Sequence, residues 1–289
     1  VDHVEPGDRV LLNWSQKCCE CFQCQRGNDS LCENRQRPPL ERTQYKGEGI
    51  DRMFFLGTMS THTVEAKQAV NKIDVDIGYP AAAIDGCGVM TGYGSAVNTA
   101  KIEPGTSVAV IGAGGVGLNI IQGARIAGAG RIIAIDINPD KLEMAKEFGA
   151  TDTLLADRDD AGLLQAAERI KAMCGGRGAD YAFEATAIVA LGAAPLALVR
   201  NGGTAVQASG IEEDLTINMR LFEWDKTYIN PRYGMCRPEV DFPRMLRLYE
   251  KGDLLLDELV TTTYALEELP QAFEDMHRGV NAKSVLVME

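Results

Sequence analysis

Apolar runs of strand length alternate with helix-length stretches through the middle of the chain. Val108–Ile111 is one continuous apolar run, the pattern of a strand covered on both faces, and Arg131–Ile135 reads as the next strand. A helix is predicted over Asp140–Phe148, a short strand over Thr153–Leu155, a helix over Ala161–Met173 and a strand over Asp180–Phe183. Ile188–Val199 and Gly203–Ala208 repeat the order of helix then strand. Such alternation predicts an α/β unit: a doubly wound parallel sheet with helices on both faces.

The two ends read differently. Val10–Leu12 is a strand introduced by the Pro6-Gly7-Asp8 turn. No earlier run could pair with it, so further strands are expected upstream of Val1. Ser60–Val64 is a Thr-rich, strand-like segment carrying His62. Asp241–Glu250 and Glu267–His277 read as helices, and Ser284–Met288 as a closing strand.

Where Val108–Ile111 ends, Gly112, Gly114 and Gly117 supply G-x-G-x-x-G. The first glycine permits the turn, the second lets backbone approach a pyrophosphate, and the third allows close helix–strand packing. The helix from Gly115 onward offers free N–H groups and a positive dipole end to phosphates. Asp136 ends the second strand about 20 residues further on, where the fingerprint sets an acid on the ribose hydroxyls. Ile137 and Asn138 follow it, with no arginine to receive a 2′-phosphate, so the cofactor expected is NAD rather than NADP. Lys141 on the next helix either reaches the ribose or phosphates or stays solvated.

Composition adds exclusions. A chain of 289 residues, 45% hydrophobic and 24% charged, has room for one large or two medium domains with an ordinary core. Its net charge of −12 argues against nucleic-acid and membrane-surface partners, which select clustered Lys and Arg. No apolar run approaches the roughly 20 residues of a membrane span, and no signal peptide is evident. The cytoplasm is the expected location.

The cysteines are unevenly placed: five of the eight fall in CCECFQCQRGNDSLC. Cys18, Cys21, Cys24 and Cys32 form C-x2-C-x2-C-x7-C, in which two short hops wrap an ion and a polar excursion returns the fourth thiolate. Zinc takes four such sulfurs in a closed structural site. Lys17, Arg26 and Arg35 flank the segment and would temper its negative charge, while Cys19 is a bystander. Disulfides disagree with a cytosolic chain, and a redox pair needs one C-x-x-C opening a helix. An iron–sulfur cluster could use a similar run, within a different fold pattern.

Taken together, these motifs resemble the zinc-containing medium-chain alcohol dehydrogenases over the whole chain. The cysteine lobe resembles that family's structural zinc loop, and AIDGCGVMTGYGSAVNTAKIEPG resembles its hinge. The resemblance implies that Cys87 ligates a catalytic zinc, that Thr91 and Val116 lie against the nicotinamide, and that Asp136 and Lys141 surround the ribose. It sets Lys283 where the family often has an arginine facing the pyrophosphate, and Trp14 at a bulky position of the substrate pocket. It implies a GroES-like β domain over residues 1–88 and 233–289, incomplete at its N-terminus and carrying the lobe 18–32, with a Rossmann NAD domain over about 89–232.

The implied reaction is zinc-dependent, NAD-linked hydride transfer between a primary alcohol, aromatic or medium-chain, and its aldehyde. A homo-oligomer, dimer or tetramer, is implied too, with Leu215–Asn230 carrying strand-like stretches for the pairing. The family's chains begin further upstream, with a cysteine and a histidine that complete the catalytic zinc site. Here that site is expected to be incomplete, because His3, His62 and His277 are read as packing, solvent-facing or helix-end residues. Cys174 and Cys236 are read as buried thiols. An inactive fragment is therefore one expectation for the chain alone. A non-catalytic NAD-binding remnant and a zinc-free quinone or enone reductase are the alternatives.

Overall fold

The computed structural model describes residues 2–34 and 43–288. Within it the chain divides into two compact units, Val1–Cys87 with Cys236–Glu289, and Gly88–Met235.

In the first unit, strand β1 (Val10–Leu12) pairs antiparallel with a later strand, Leu11 facing Asn71. One helical turn, α1 (Phe22–Gln25), lies inside the cysteine segment. Two-residue strands β2 (Gln44–Tyr45) and β3 (Glu48–Gly49) form a small hairpin, and β4 (Val70–Lys72) is the partner of β1. Residues 60–64 are not a strand: the Ser60 hydroxyl bonds the carbonyls of Gly57 and His62 and folds the segment on itself. Helix α2 (Tyr79–Ile84) runs into a π-turn over Asp85–Val89.

The second unit opens with α3 (Met90–Gly94) and is built on a sheet of the expected kind. Its strands are β5 (Ser107–Ile111), β6 (Arg131–Asp136), β7 (Asp152–Leu155), β8 (Ala179–Glu184), β9 (Val199–Gln207) and β10 (Thr227–Ile229). All pair in parallel, in the spatial order β10-β9-β8-β5-β6-β7. The order reverses between β5 and β8, which opens a crevice at the carboxyl ends of those strands. Helices α4 (Gly115–Ile126), α5 (Pro139–Glu147), α6 (Leu164–Met173) and α7 (Ala194–Leu198) make the crossovers. The central strands are apolar on both faces because both are covered: Val108, Ala109, Ile133, Ala134, Ala182 and Phe183 are fully buried.

Two boundaries move for local reasons. Helix α6 begins at Leu164 rather than Ala161, since Gly162 and Leu163 adopt φ of +67° and +56°. The Asp160 carboxylate then accepts from the amides of Gln165 and Ala166 and caps the helix from outside. Residues 188–199 yield only a short turn and α7, because Val199 already belongs to the nine-residue β9. Leu215–Asn230 likewise holds one strand, β10, after a turn at Met219–Phe222.

The returning segment completes the first unit. Helix α8 (Pro238–Glu250) starts three residues before the expected helix, with proline in its first turn. Strand β11 (Val260–Tyr264) pairs in parallel with β12 (Lys283–Leu286), and α9 (Leu269–His277) connects them.

Candidate active site and metal centre

The cysteine lobe is folded around its sulfurs. The Sγ atoms of Cys18, Cys21, Cys24 and Cys32 all lie within 4.8 Å of one another, and those of Cys18 and Cys24 are 4.0 Å apart. A tetrahedral zinc site with bonds of about 2.3 Å has sulfur–sulfur edges of about 3.8 Å, so the donor set fits the ion. Backbone amides point at the sulfurs. Cys18 N donates to Cys32 Sγ at 3.3 Å, Cys21 N to Cys18 Sγ at 3.3 Å, and Cys24 N and Glu33 N to Cys21 Sγ, each at 3.5 Å. Those amide bonds hold the Cys21 thiol down to about 6. Burial, with the neighbouring Cys21, pushes Cys24 up to about 12, and burial also raises Cys32. Four thiols this close cannot all ionise without a cation among them. Cys19 is exposed, in the left-handed conformation at φ +66°, and stays outside the cluster.

The flanking charges do something other than surround the sulfurs. Lys17 donates to Asp29 at 2.9 Å and pairs with Glu239 of α8 at 3.0 Å, while Arg237 reaches Asp29 at 3.6 Å. Burial works against the charge on Lys17, but these two carboxylates more than offset it, and its pKa is raised. Asp29 itself is buried, so the network ties the excursion of the lobe to the returning chain. Arg26 lies over the Phe22 ring, 5.3 Å from its centroid. Arg35 falls outside the described residues.

Elsewhere in the first unit, Gly86 packs against β1 so closely that a Cβ there would stand 2.8 Å from the Leu12 carbonyl oxygen. This contact brings the segments bearing Cys87 and Trp14 together. Lys283 belongs to the same neighbourhood: burial depresses its pKa, and Cys87 is the group near enough to favour its charge. Cys87 is exposed, whereas Asp85, two residues earlier, is wholly buried with neither carboxylate oxygen hydrogen-bonded. Burial pushes Asp85 up to about 8. The two side chains thus face opposite ways. Among the described residues, no second group of three or more His, Cys, Asp or Glu side chains gathers, around Cys87 or elsewhere. A catalytic zinc needs three protein ligands, and the described residues do not complete that set. His3 reaches the Val70 carbonyl and His62 is exposed. His277 ends α9, as expected.

In the second unit the glycine turn has the geometry its spacing predicts. Gly112 adopts φ +89°, and a Cβ on Gly117 would run into the Gly112 carbonyl oxygen. Before Gly114 the space is open, with nothing within 4 Å of where a Cβ would stand. Helix α4 begins at Gly115, followed by the half-buried Val116. Asp136 is fixed at the end of β6: Ala113 N donates to its Oδ2 at 2.8 Å and Asn138 N to its Oδ1 at 2.9 Å. Each oxygen keeps a further lone pair for a sugar hydroxyl. The Asn138 side chain caps α5, accepting from Asp140 N at 2.9 Å, and Lys141 is half-buried in the first turn of that helix. A turn open to phosphate with a preset acid beside it fits a dinucleotide.

The segments bearing Thr91 and Val116 also meet. A Cβ on Gly92 would meet the Val116 carbonyl oxygen at 2.5 Å, so α3 seats against the start of α4 at this glycine. Cys236 is buried as expected, but Cys174 is only partly so; burial raises both thiols. Sequence reasoning missed Asp85, whose burial no local pattern signals, and the Asp29 network, which joins Lys17 and Asp29 to Arg237 and Glu239 at the far end of the chain.

Comparison with known proteins agrees with this geometry. Residues 115–251 match the family model described as zinc-binding dehydrogenase. An S-(hydroxymethyl)glutathione dehydrogenase of Escherichia coli is 33% identical over 297 residues, spanning 99% of this chain and 79% of that protein. Among solved structures, benzyl alcohol dehydrogenase from Acinetobacter calcoaceticus superposes with a TM-score of 0.84 at 26% identity, over 100% of this chain and 80% of that one. An alcohol dehydrogenase zinc-binding domain protein from Burkholderia ambifaria superposes with a TM-score of 0.88 at 27% identity, with the same coverage. The chain belongs to the zinc-dependent medium-chain alcohol dehydrogenase family, whose cofactors are zinc and NAD. No helix among the described residues is long and apolar enough to cross a membrane.

Proposed function

We propose that the chain acts as a zinc-dependent alcohol dehydrogenase, interconverting a primary alcohol, aromatic or medium-chain, and its aldehyde. The observation that carries this reading is the presence in one chain of a four-thiol knot and a dinucleotide turn ending in a preset Asp136. A zinc-free reductase has no use for the knot. In this reading Cys18, Cys21, Cys24 and Cys32 hold a structural zinc. Residues 1–88 and 233–289 form the GroES-like domain, and residues 89–232 form the cofactor domain.

When bound, NAD would supply the hydride acceptor, and a catalytic zinc, for which Cys87 is one of the three ligands needed, would supply Lewis acidity. The chain's own residues bind and orient. Asp136 takes the ribose hydroxyls, and the amides from Gly115 onward, with Gly112, Gly114 and Gly117 clearing the approach, take the pyrophosphate. Thr91 and Val116, on segments that meet at Gly92, bear on the nicotinamide, and Lys141 adds positive charge toward the cofactor. Trp14 bounds the substrate, and Cys87 offers one ligand to the catalytic ion.

The isolation of Cys87 favours a second reading for the chain alone, an NAD-binding module without turnover. Incubation of the zinc-replete chain with NAD and benzyl alcohol separates the two. NADH absorbance that disappears on chelation is the outcome expected of the dehydrogenase; NAD binding with no NADH formed leaves the module. We also infer a cytoplasmic location, supported by eight cysteines of which none is in a disulfide. A homo-oligomer follows if the outer edge of β10, which has no further strand beside it among the described residues, is paired by a second copy.

A further inference from the structure

We propose that Glu184 is a positioning residue for the nicotinamide half of the cofactor, holding in place the crevice wall that this half lies against; this rests on the dinucleotide reading of the same unit. The strand order says where that half must go. Asp136, at the end of β6, marks the adenosine side, and the glycine turn after β5 takes the pyrophosphate. In the order β9-β8-β5-β6, a dinucleotide laid from β6 across β5 continues over the carboxyl ends of β8 and β9. Glu184 is the last residue of β8. It stands level with Ile111, the last of β5, and with Gln207, the last of β9.

The Glu184 side chain is wholly buried beneath the loops it serves. Its Oε1 accepts from the amides of Thr186, at 2.5 Å, and Ala187, at 3.1 Å, and also from the Thr186 hydroxyl. Its Oε2 accepts from the Ser209 hydroxyl. One carboxylate therefore ties the loop after β8 to the loop after β9, through hydrogen bonds of the stronger, charge-assisted kind. Each hydroxyl passes the tie on: that of Ser209 accepts from Gln207 Nε2 at 3.0 Å, and that of Thr186 accepts from Ile188 N at 3.1 Å. Ala187 is left-handed, at φ +61°. Strain of that sort persists only where the surroundings impose it, and the two amides converging on Oε1 supply the imposition.

The tied loops border the cofactor turn. A Cβ on Gly112 would stand 2.6 Å from Thr186 Cγ2, and Ala185 N donates to the Ile111 carbonyl at 2.9 Å. Thr186 and Ser209 are half-buried and Ala187 is exposed, so a ligand can reach the wall while the carboxylate beneath it stays dry. Glu184 thus acts on the cofactor through its neighbours, by fixing where they stand.

The test compares NAD with ADP-ribose, which lacks only the nicotinamide, by calorimetric titration of the full chain. Glu184→Gln turns one of the two acceptor oxygens into a donor and cuts one side of the tie. It should weaken NAD about tenfold and leave ADP-ribose within about twofold. Ser209→Ala, which spares the carboxylate and its amide bonds, should weaken NAD about threefold, and Ser209→Thr should restore it. Equal losses for the two ligands would make Glu184 a residue of general stability and overturn the assignment. Unchanged NAD affinity in both Glu184→Gln and Ser209→Ala, with circular dichroism intact, overturns it as well. A parent chain that binds NAD no more tightly than ADP-ribose also overturns it and leaves the dinucleotide reading standing. If the parent chain binds neither, the dinucleotide reading itself fails and the assignment falls with it.

Discussion

The cofactor unit and the unit bearing the cysteines are stabilised by different physics. Gly88–Met235 buries strands β5, β6 and β8 on both faces, and one continuous apolar cluster runs from Ala109 through Ile133, Leu154 and Ile170 to Ala205. Its stability comes from area removed from water, spread over many residues. Among the described residues, the other unit has only two-stranded sheets, and most of the large exposed apolar side chains are its own, among them Phe22, Met53, Phe54, Met59 and Phe273. A small apolar core leaves more to local staples: four thiols around one ion, and the Asp29–Lys17–Glu239 network. The lesson is one of failure modes. Collective burial degrades gradually with substitution, whereas a staple fails at a single atom.

The largest effect separating the two units is expected from Cys21→Ser. Removal of the sulfur that accepts two backbone amides should release the lobe's zinc and unfold residues 18–32, without loss of NAD binding. Elemental mass spectrometry and an NAD titration on one sample check both halves. The reverse case is Gly117→Val, whose side chain collides with the Gly112 carbonyl: NAD affinity should fall by more than about a hundredfold while zinc content is unchanged. Ile133→Ala, a deletion in a fully buried strand, should cost about 3 kcal/mol by chemical denaturation, again at constant zinc.

A smaller loss is expected from Asp136→Asn. The amide cannot accept from Ala113 N and Asn138 N and still receive both ribose hydroxyls as a charged acceptor does, so NAD should bind about tenfold more weakly. The smallest effect is one of pH. Burial works to raise the Asp180 pKa, but the Ser107 amide and hydroxyl and the Arg200 guanidinium outweigh it and hold the carboxyl below its usual range. A depressed folded-state pKa contributes stability that is present above the unfolded value, near 3.9, and is lost as pH falls through the folded one. Asp180→Asn should therefore lower the stability of the cofactor unit by about 1 kcal/mol at neutral pH and flatten its acid limb. A melting series from pH 7 to pH 3 on both proteins reads the difference.

Legibility follows the same division. The parallel sheet could be read from Val108–Ile111 and from the apolar residues that follow Arg131, because strands buried on both faces print their burial as apolar runs. The glycine turn and Asp136 were legible because backbone clearance and a strand-end acid fix residue type at fixed spacing. The four sulfurs were legible for a similar reason, since a tetrahedral ion dictates loop length. What escaped was set by contacts remote in sequence. One partner of β1 is Val70–Lys72, about 60 positions further on, which no local pattern could assign. Residues 60–64 carry β-branched residues, yet the Ser60 hydroxyl turns them back. Leu163 is left-handed because Asp160 caps α6 across it, which no propensity anticipates. Trp14 could be placed as an aromatic position, but its tilted ring contact with Phe54, 4.9 Å between centroids, could not be read from sequence.

Native-state hydrogen exchange with and without a chelator tests the central contrast most directly. The amides of Cys18, Cys21, Cys24 and Glu33, all bonded to sulfur, should lose protection when zinc is removed, while those of β5, β6 and β8 keep theirs. Lobe amides that stay protected in the metal-free chain, or a loss shared equally by the sheet, would contradict the account.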